Sequence, residues 1–143
     1  MKAAVIYWSG TGNTEAMAEA VKDGLVGAGV ETDLLQFADT TPDDALANYE
    51  LLALGCPAMG GEQLEESEVE PFFTDLEGKL NGRKVALFGS YGWGDGQWMR
   101  DWVERAQAAG AVVATGEGVI ANEAPDDEAI DNCQGLGNAL AIL

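Results

Sequence analysis

Five short apolar runs alternate with five stretches of helical periodicity, and few folds accept that pattern. Residues 3–8, 51–55 and 84–89 are almost continuously apolar, residues 31–37 alternate, and residues 111–115 form a fifth run that resumes at 119–121. Between them, helical spacing recurs. Residues 14–28 place Met17, Val21, Leu25 and Ala28 on one face before Gly29. Thr40, Thr41 and Pro42 signal the start of a short helix reaching Asn48, with proline near the first helical position. Residues 71–80 close near Asn81 and Gly82, residues 97–109 repeat Trp98, Trp102 and Ala106 every fourth position before Gly110, and residues 127–140 form the last helix. Continuous apolar strands are buried on both faces, so the pattern predicts an α/β domain: a parallel sheet covered by helices on both sides, with right-handed crossovers. A chain of 143 residues suits one such domain, spanning 1–143.

In sheets of this kind, ligands sit beyond the carboxyl ends of the strands, where the strand order reverses. That joins three loops into one candidate site: residues 9–14, 56–68 and 90–96. The first reads Ser9, Gly10, Thr11, Gly12, Asn13, Thr14 between a buried strand and a helix. Its glycines let successive N–H groups turn inward while the helix start offers free N–H groups to an anion. Ser9, Thr11, Asn13 and Thr14 add up to four side-chain donors, and no positive charge is present. A nucleoside-triphosphate loop needs Gly-Lys-Ser/Thr, which is absent. A dinucleotide loop needs a third glycine where Glu15 stands. The loop therefore suits one terminal phosphomonoester, or else serves only as a turn that caps the helix.

Twenty-five acidic residues face seven basic ones, a net charge of −18, and the interval between Lys22 and Lys79 contains no positive side chain. Nucleic acids and anionic membranes, which bind through Lys and Arg, are excluded as partners. The field steers basic protein surfaces instead, or keeps the protein soluble. No apolar run approaches the ~20 residues of a membrane span, and Met1-Lys2 leads straight into a strand without signal-peptide features, so a cytoplasmic protein is expected. Cys56 and Cys133 lack metal-binding spacing, the chain contains no histidine, and both are expected to be buried free thiols.

The third loop, Ser90, Tyr91, Gly92, Trp93, Gly94, Asp95, Gly96, sets two aromatics in a glycine frame, and the second carries Met59 before Gly60, Gly61 and Glu62. Met59 and Trp93 suit a flat ligand, or anchor the loops on the domain itself. Taken together, Tyr7 to Thr14, Gly55 to Gly60, Glu70-Pro71-Phe72 and Leu87 to Gly96 resemble the flavodoxins, specifically the short-chain clostridial type, over nearly the whole chain.

That resemblance implies a three-layer sandwich with a five-stranded parallel sheet in the order 2-1-3-4-5, and non-covalent FMN. Residues 9–14 would hold the FMN phosphate, Met59 would cover one ring face and Trp93 the other, and Glu62 would accept from the flavin N3–H. Backbone groups from Gly92 through Gly94 to Asp95 would meet the pyrimidine edge, with Pro57, Ala58, Ser90 and Tyr91 completing the site. Pro57 departs from relatives that carry serine near the phosphate. The Gly60–Gly61 peptide would flip on one-electron reduction, and glycine at both positions makes either turn type accessible. Carboxylates at Glu62, Glu65, Glu66 and Asp95 would disfavour the second negative charge on the flavin. The implied function is a low-potential one-electron carrier working between semiquinone and hydroquinone, not an enzyme. Its expected partners are basic surfaces of reductases and other redox enzymes, and a monomer is expected. The rivals are an FMN quinone or nitro reductase on the same fold, for which stacking by Met59 and Trp93 leaves little room, and a non-redox binding module.

Overall fold

The computed structural model describes residues 1–143. Its centre is β1 (Lys2–Tyr7), buried along nearly its whole length between β2 (Glu31–Gln36) and β3 (Leu51–Gly55). Val5 sits opposite Leu34 on one side and Ala53 on the other. β4 (Lys84–Tyr91) adds to β3 with Ala53 opposite Ala86, and every pairing is parallel. The last position is shared by β5 (Val112–Val113) and β6 (Val119–Asn122), both paired with β4. The order is β2-β1-β3-β4-β5, as the resemblance implied, but the expected fifth strand is two short ones. A 3-10 turn, Ala114–Gly116, breaks it where Thr115 adopts φ 62°.

Helices α1 (Asn13–Gly27) and α5 (Asp127–Ala141) cover one face, with Met17, Val21, Leu25, Leu136 and Leu140 in the core they share with the sheet. The opposite face takes α2 (Pro42–Asn48), α3 (Val69–Glu77) and α4 (Gln97–Ala108), and its core is aromatic: Phe72, Phe73, Trp98 and Trp102. The repeat of Trp98, Trp102 and Ala106 is buried as its spacing requires. Ala28, expected on the buried face of α1, is exposed just past the helix end. Thr41 caps α2 by accepting from the Asp44 N–H. No helix is long and apolar enough to cross a membrane.

Two boundaries differ from expectation for physical reasons that matter at the site. β4 continues through Ser90 and Tyr91 because β6 runs beside it, with Ser90 opposite Ala121 and Tyr91 opposite Asn122. Those two residues are the last of a strand, not the first of a loop. α3 begins at Val69 rather than Pro71, since a proline in the first turn lacks only an N–H that has no intrahelical partner. Its free N–H groups are met by the Glu65 carboxylate, which accepts from Glu68 (2.9 Å) and Val69 (3.2 Å).

Candidate cofactor site

At the carboxyl end of β1 the chain turns through Ser9 to Gly12, and Gly12, at φ 93°, opens α1 without a side-chain cap. The Gly12 N–H donates to Ser9 Oγ at 3.0 Å. The N–H groups of Gly10, Thr11, Asn13, Thr14 and Glu15 have no acceptor within the protein. A loop that served only as a cap would have satisfied the helix start with its own side chains. Here those N–H groups are left without a protein partner, and the positive end of the α1 dipole adds to them.

The four expected side-chain donors divide into two kinds. Thr11 and Asn13 line an open cleft beside the loop. Thr14 is only 1% exposed, and its hydroxyl is engaged with Ser90: the two oxygens lie 3.1 Å apart and the Ser90 N–H reaches Thr14 Oγ1 at 3.4 Å. This pair ties the start of α1 to β4, so Thr14 supports the loop through its side chain instead of extending the donor set. Below it, the Tyr7 hydroxyl donates to Glu15 at 2.8 Å. Burial first, then the Glu15 hydrogen bond and charge, push Tyr7 up to about 12, keeping it protonated at neutral pH.

The cleft has a volume of about 590 Å³ and draws its walls from the carboxyl ends of β1, β3, β4 and β6. Gly10, Thr11 and Asn13 form one end, Pro57, Ala58 and Met59 a second wall, and Ser90, Tyr91 and Gly92 a third, so nine of the expected residues meet in one space. Ser9, Gly12, Thr14, Gly60, Gly61, Glu62, Trp93, Gly94 and Asp95 are not among the lining residues. Trp93, expected to cover a ring face, is 91% exposed. Three lining residues were not singled out from sequence: Trp8, Glu123 and Ala124. The resumed strand at 119–121 was the available signal, because a strand beside β4 must carry the chain back to the same edge.

Next to the cleft, residues 59–62 form a tight turn. The Glu62 N–H donates to Met59 O at 3.1 Å and the Met59 N–H to Gln63 O at 2.9 Å. Gly61 adopts φ 77°, the positive value that a type II turn requires at its second central residue. Glu62 follows at φ 57°, and its carboxylate accepts the Trp98 N–H at 2.8 Å, capping α4. A Cβ on Gly94, itself at φ 82°, would lie 1.7 Å from Glu62 Oε1. Glu62 is thus held between the α4 start and the 92–96 loop, with Oε1 free of any hydrogen bond to the protein.

The four carboxylates expected near a bound ring are not equivalent. Glu65 is 4% exposed and caps α3, also accepting from the Ser67 N–H and hydroxyl. Burial pushes its pKa up, but the hydrogen bonds from Ser67, Glu68 and Val69 outweigh this and hold it below the usual carboxylate value. Glu65 thus has a structural task at the start of α3, and the bonds that cap the helix also keep its carboxylate ionised. Asp95 pairs with Arg100 at 3.0 Å, and the same guanidinium donates to the Asp95 carbonyl, which compensates its charge. Glu62 and Glu66 remain, and the cleft wall adds Glu123. Cys56 and Cys133 are buried as expected, and burial pushes both thiols up to about 12. Neither is a nucleophile at neutral pH.

Comparison with known proteins agrees with this geometry. The family model described as Flavodoxin matches residues 5–135. The flavodoxin of Megasphaera elsdenii is 51% identical over 138 residues, 96% of each chain, and that of Clostridium beijerinckii 48% identical over 139 residues, covering 97% of this chain and 99% of the relative. Among solved structures, the solution structure of two-electron reduced Megasphaera elsdenii flavodoxin superposes with a TM-score of 0.89 at 50% identity over 99% of both chains. A flavodoxin from the domain Archaea gives 0.86 at 30% identity, over 99% of this chain and 97% of that one.

Proposed function

This chain belongs to the flavodoxin family, a family of FMN-containing electron carriers rather than enzymes, and from that premise we propose that it is a single-domain, low-potential one-electron carrier cycling between semiquinone and hydroquinone. The observation that carries this reading is the cleft, with a cation-free cluster of N–H groups at one end and Met59 and Tyr91 toward the other.

The residues fit FMN on three counts. Unpaired N–H groups at 10, 11, 13, 14 and 15, with the Thr11 and Asn13 side chains, match the acceptor-only oxygens of one phosphomonoester. Apolar and aromatic walls at Trp8, Met59 and Tyr91 match a flat tricyclic ring. Glu62 keeps one carboxylate oxygen free beside the one that accepts the Trp98 N–H, and it would accept from the ring N3–H. Exposed Trp93 is available to cover the outer ring face, and Gly92 to Asp95 would offer backbone groups to the pyrimidine edge. When bound, FMN supplies reversible one-electron exchange. The protein needs only to bind it, exclude water from one face and set the charge around it.

Electron carriers of this family serve redox enzymes. The acidic surface favours partners with basic docking faces, met by a monomer in the cytoplasm, where two free thiols stay reduced. Adding FMN to the apoprotein should quench flavin fluorescence with one-to-one stoichiometry, and riboflavin, lacking the phosphate, should bind far more weakly. Equal binding of riboflavin and FMN would refute the assignment of residues 9–14. Electron transfer to a basic redox partner should slow as salt rises, and a salt-independent rate would remove the acidic surface from recognition.

A further inference from the structure

β6 pairs with β4 on one side and with no strand on the other. The Glu123 N–H donates to the Tyr91 carbonyl at 2.7 Å, and that bond sets the alternation of the strand before it. Val119 and Ala121 turn their backbone groups toward β4, whereas Ile120 and Asn122 turn theirs outward, where no protein group meets them. Such an edge is a template for another strand. β5 does not lengthen it, because the turn at Ala114–Gly116, with Thr115 at φ 62°, confines the edge to the four residues of β6.

Clefts flank this edge on both faces of the sheet. On the α4 side a cleft of about 400 Å³ has Met99, Val103, Gly118 and Ile120 in its walls, and its one cation, Arg100, is paired with Asp95. On the α5 side two clefts run along β6, and their charged members are all acidic: Glu117, Asp126, Glu128 and Asp131. Ile120 packs against the core on the α4 side, and Val119 and Ala121 against the core on the α5 side. Residues opposite each other on paired strands share a face. A residue added opposite Ile120 therefore falls beside Met99 and Val103, and its two chain neighbours fall beside the carboxylates. A second copy of this chain is the wrong occupant, since it would bring the same carboxylates, at a net charge of −18, against themselves. We propose that the outer edge of β6 is a docking site for an extended segment of a partner protein, which alternates basic and apolar side chains and adds to the sheet as a further strand. The edge runs into Glu123 and Ala124 of the cofactor cleft, so a segment docked here brings its protein to the same end of the sheet.

The test uses the isotope-labelled full chain and a short peptide of alternating lysine and valine, followed at each backbone amide by NMR. At saturating peptide, hydrogen exchange at the Ile120 and Asn122 amides should slow about tenfold or more, while the amides of Val119 and Ala121, already bonded to β4, change little. The same peptide N-methylated along its backbone should not bind. Glu117→Lys combined with Asp131→Lys should weaken the unmodified peptide about tenfold, and because both positions are exposed the variant should melt as wild type does. Four results would each overturn the assignment: no binding at about millimolar peptide, binding that protects neither outward amide, equal binding of a peptide with the lysines and valines in two separate blocks, or unchanged affinity in the charge-reversed variant.

Discussion

At the phosphate end of the cleft the loop is tied to the sheet by a buried hydroxyl pair, whereas at the ring end the chain is tied by the Ala58–Ser90 backbone bond and, beyond it, by the side chains of Glu62 and Arg100. Residues 9–14 are locked by the Ser9–Gly12 bond, by the buried Thr14–Ser90 pair and, one turn below, by Tyr7–Glu15. The 59–62 turn is held to the rest of the fold by Glu62 on the α4 start, and the 92–96 loop by Arg100 on Asp95. Positive φ values at Gly61 and Glu62 fall side by side there. The contrast separates two tasks. A rigid, preorganised end suits affinity for a phosphate that does not change during turnover, and an adjustable end suits a ring whose charge does.

Four substitutions probe that contrast. The largest effect is expected from Gly94→Ala, which adds a left-handed backbone penalty to the displacement of Glu62, about 3 kcal/mol together. FMN affinity should fall about a hundredfold by fluorescence titration, and the apoprotein, which carries the same strain, should melt at a lower temperature. Thr14→Val should act mainly on stability. It leaves the Ser90 groups buried without their partner, and urea denaturation of the apoprotein should show a loss of about 2 kcal/mol.

Glu65→Gln tests the base of the ring-side loop and carries a pH signature. The folded-state pKa of Glu65 lies below its ordinary 4.5, so its contribution is complete above that pH and is lost as the pH falls through the folded value. Glu65→Gln should cost about 1.5 kcal/mol at neutral pH, and the gap between variant and wild type should close in acid. A gap independent of pH would mean that the carboxylate charge contributes nothing. The smallest effect belongs to Gly61→Asp. At φ 77° an aspartate strains the observed turn by about 1 kcal/mol, and relief of that strain on reduction should widen the separation of the two one-electron potentials by about 40 mV. An unchanged separation in a spectroelectrochemical titration would show that the turn does not respond to reduction.

Local signals made much of this readable. The strand, loop and helix around residues 9–14 follow from apolar run, glycines and periodicity in sequence, and the wall residues Met59, Tyr91 and Gly92 follow from strand ends converging on one edge. What stayed hidden depends on contacts between distant segments. Ser90 and Tyr91 read as loop because nothing nearby in the chain reveals that β6 will pair with them. Glu62, Glu65 and Glu66 look alike in a run of acids, and only the start of α3 shows that Glu65 is buried as a cap. Glu123 entered the site through the same non-local pairing that extended β4. The exposure of Trp93 could not be read from its glycine-rich surroundings, which permit both a covered and an open position.

One-electron exchange at an FMN held in this cleft can be followed by anaerobic titration of the FMN-loaded protein with dithionite, monitored by visible absorbance. The long-wavelength band of a neutral flavin radical should rise and then decay as the second electron enters. Direct bleaching in a single two-electron step, with rapid reoxidation by quinones, would contradict it and point to a reductase.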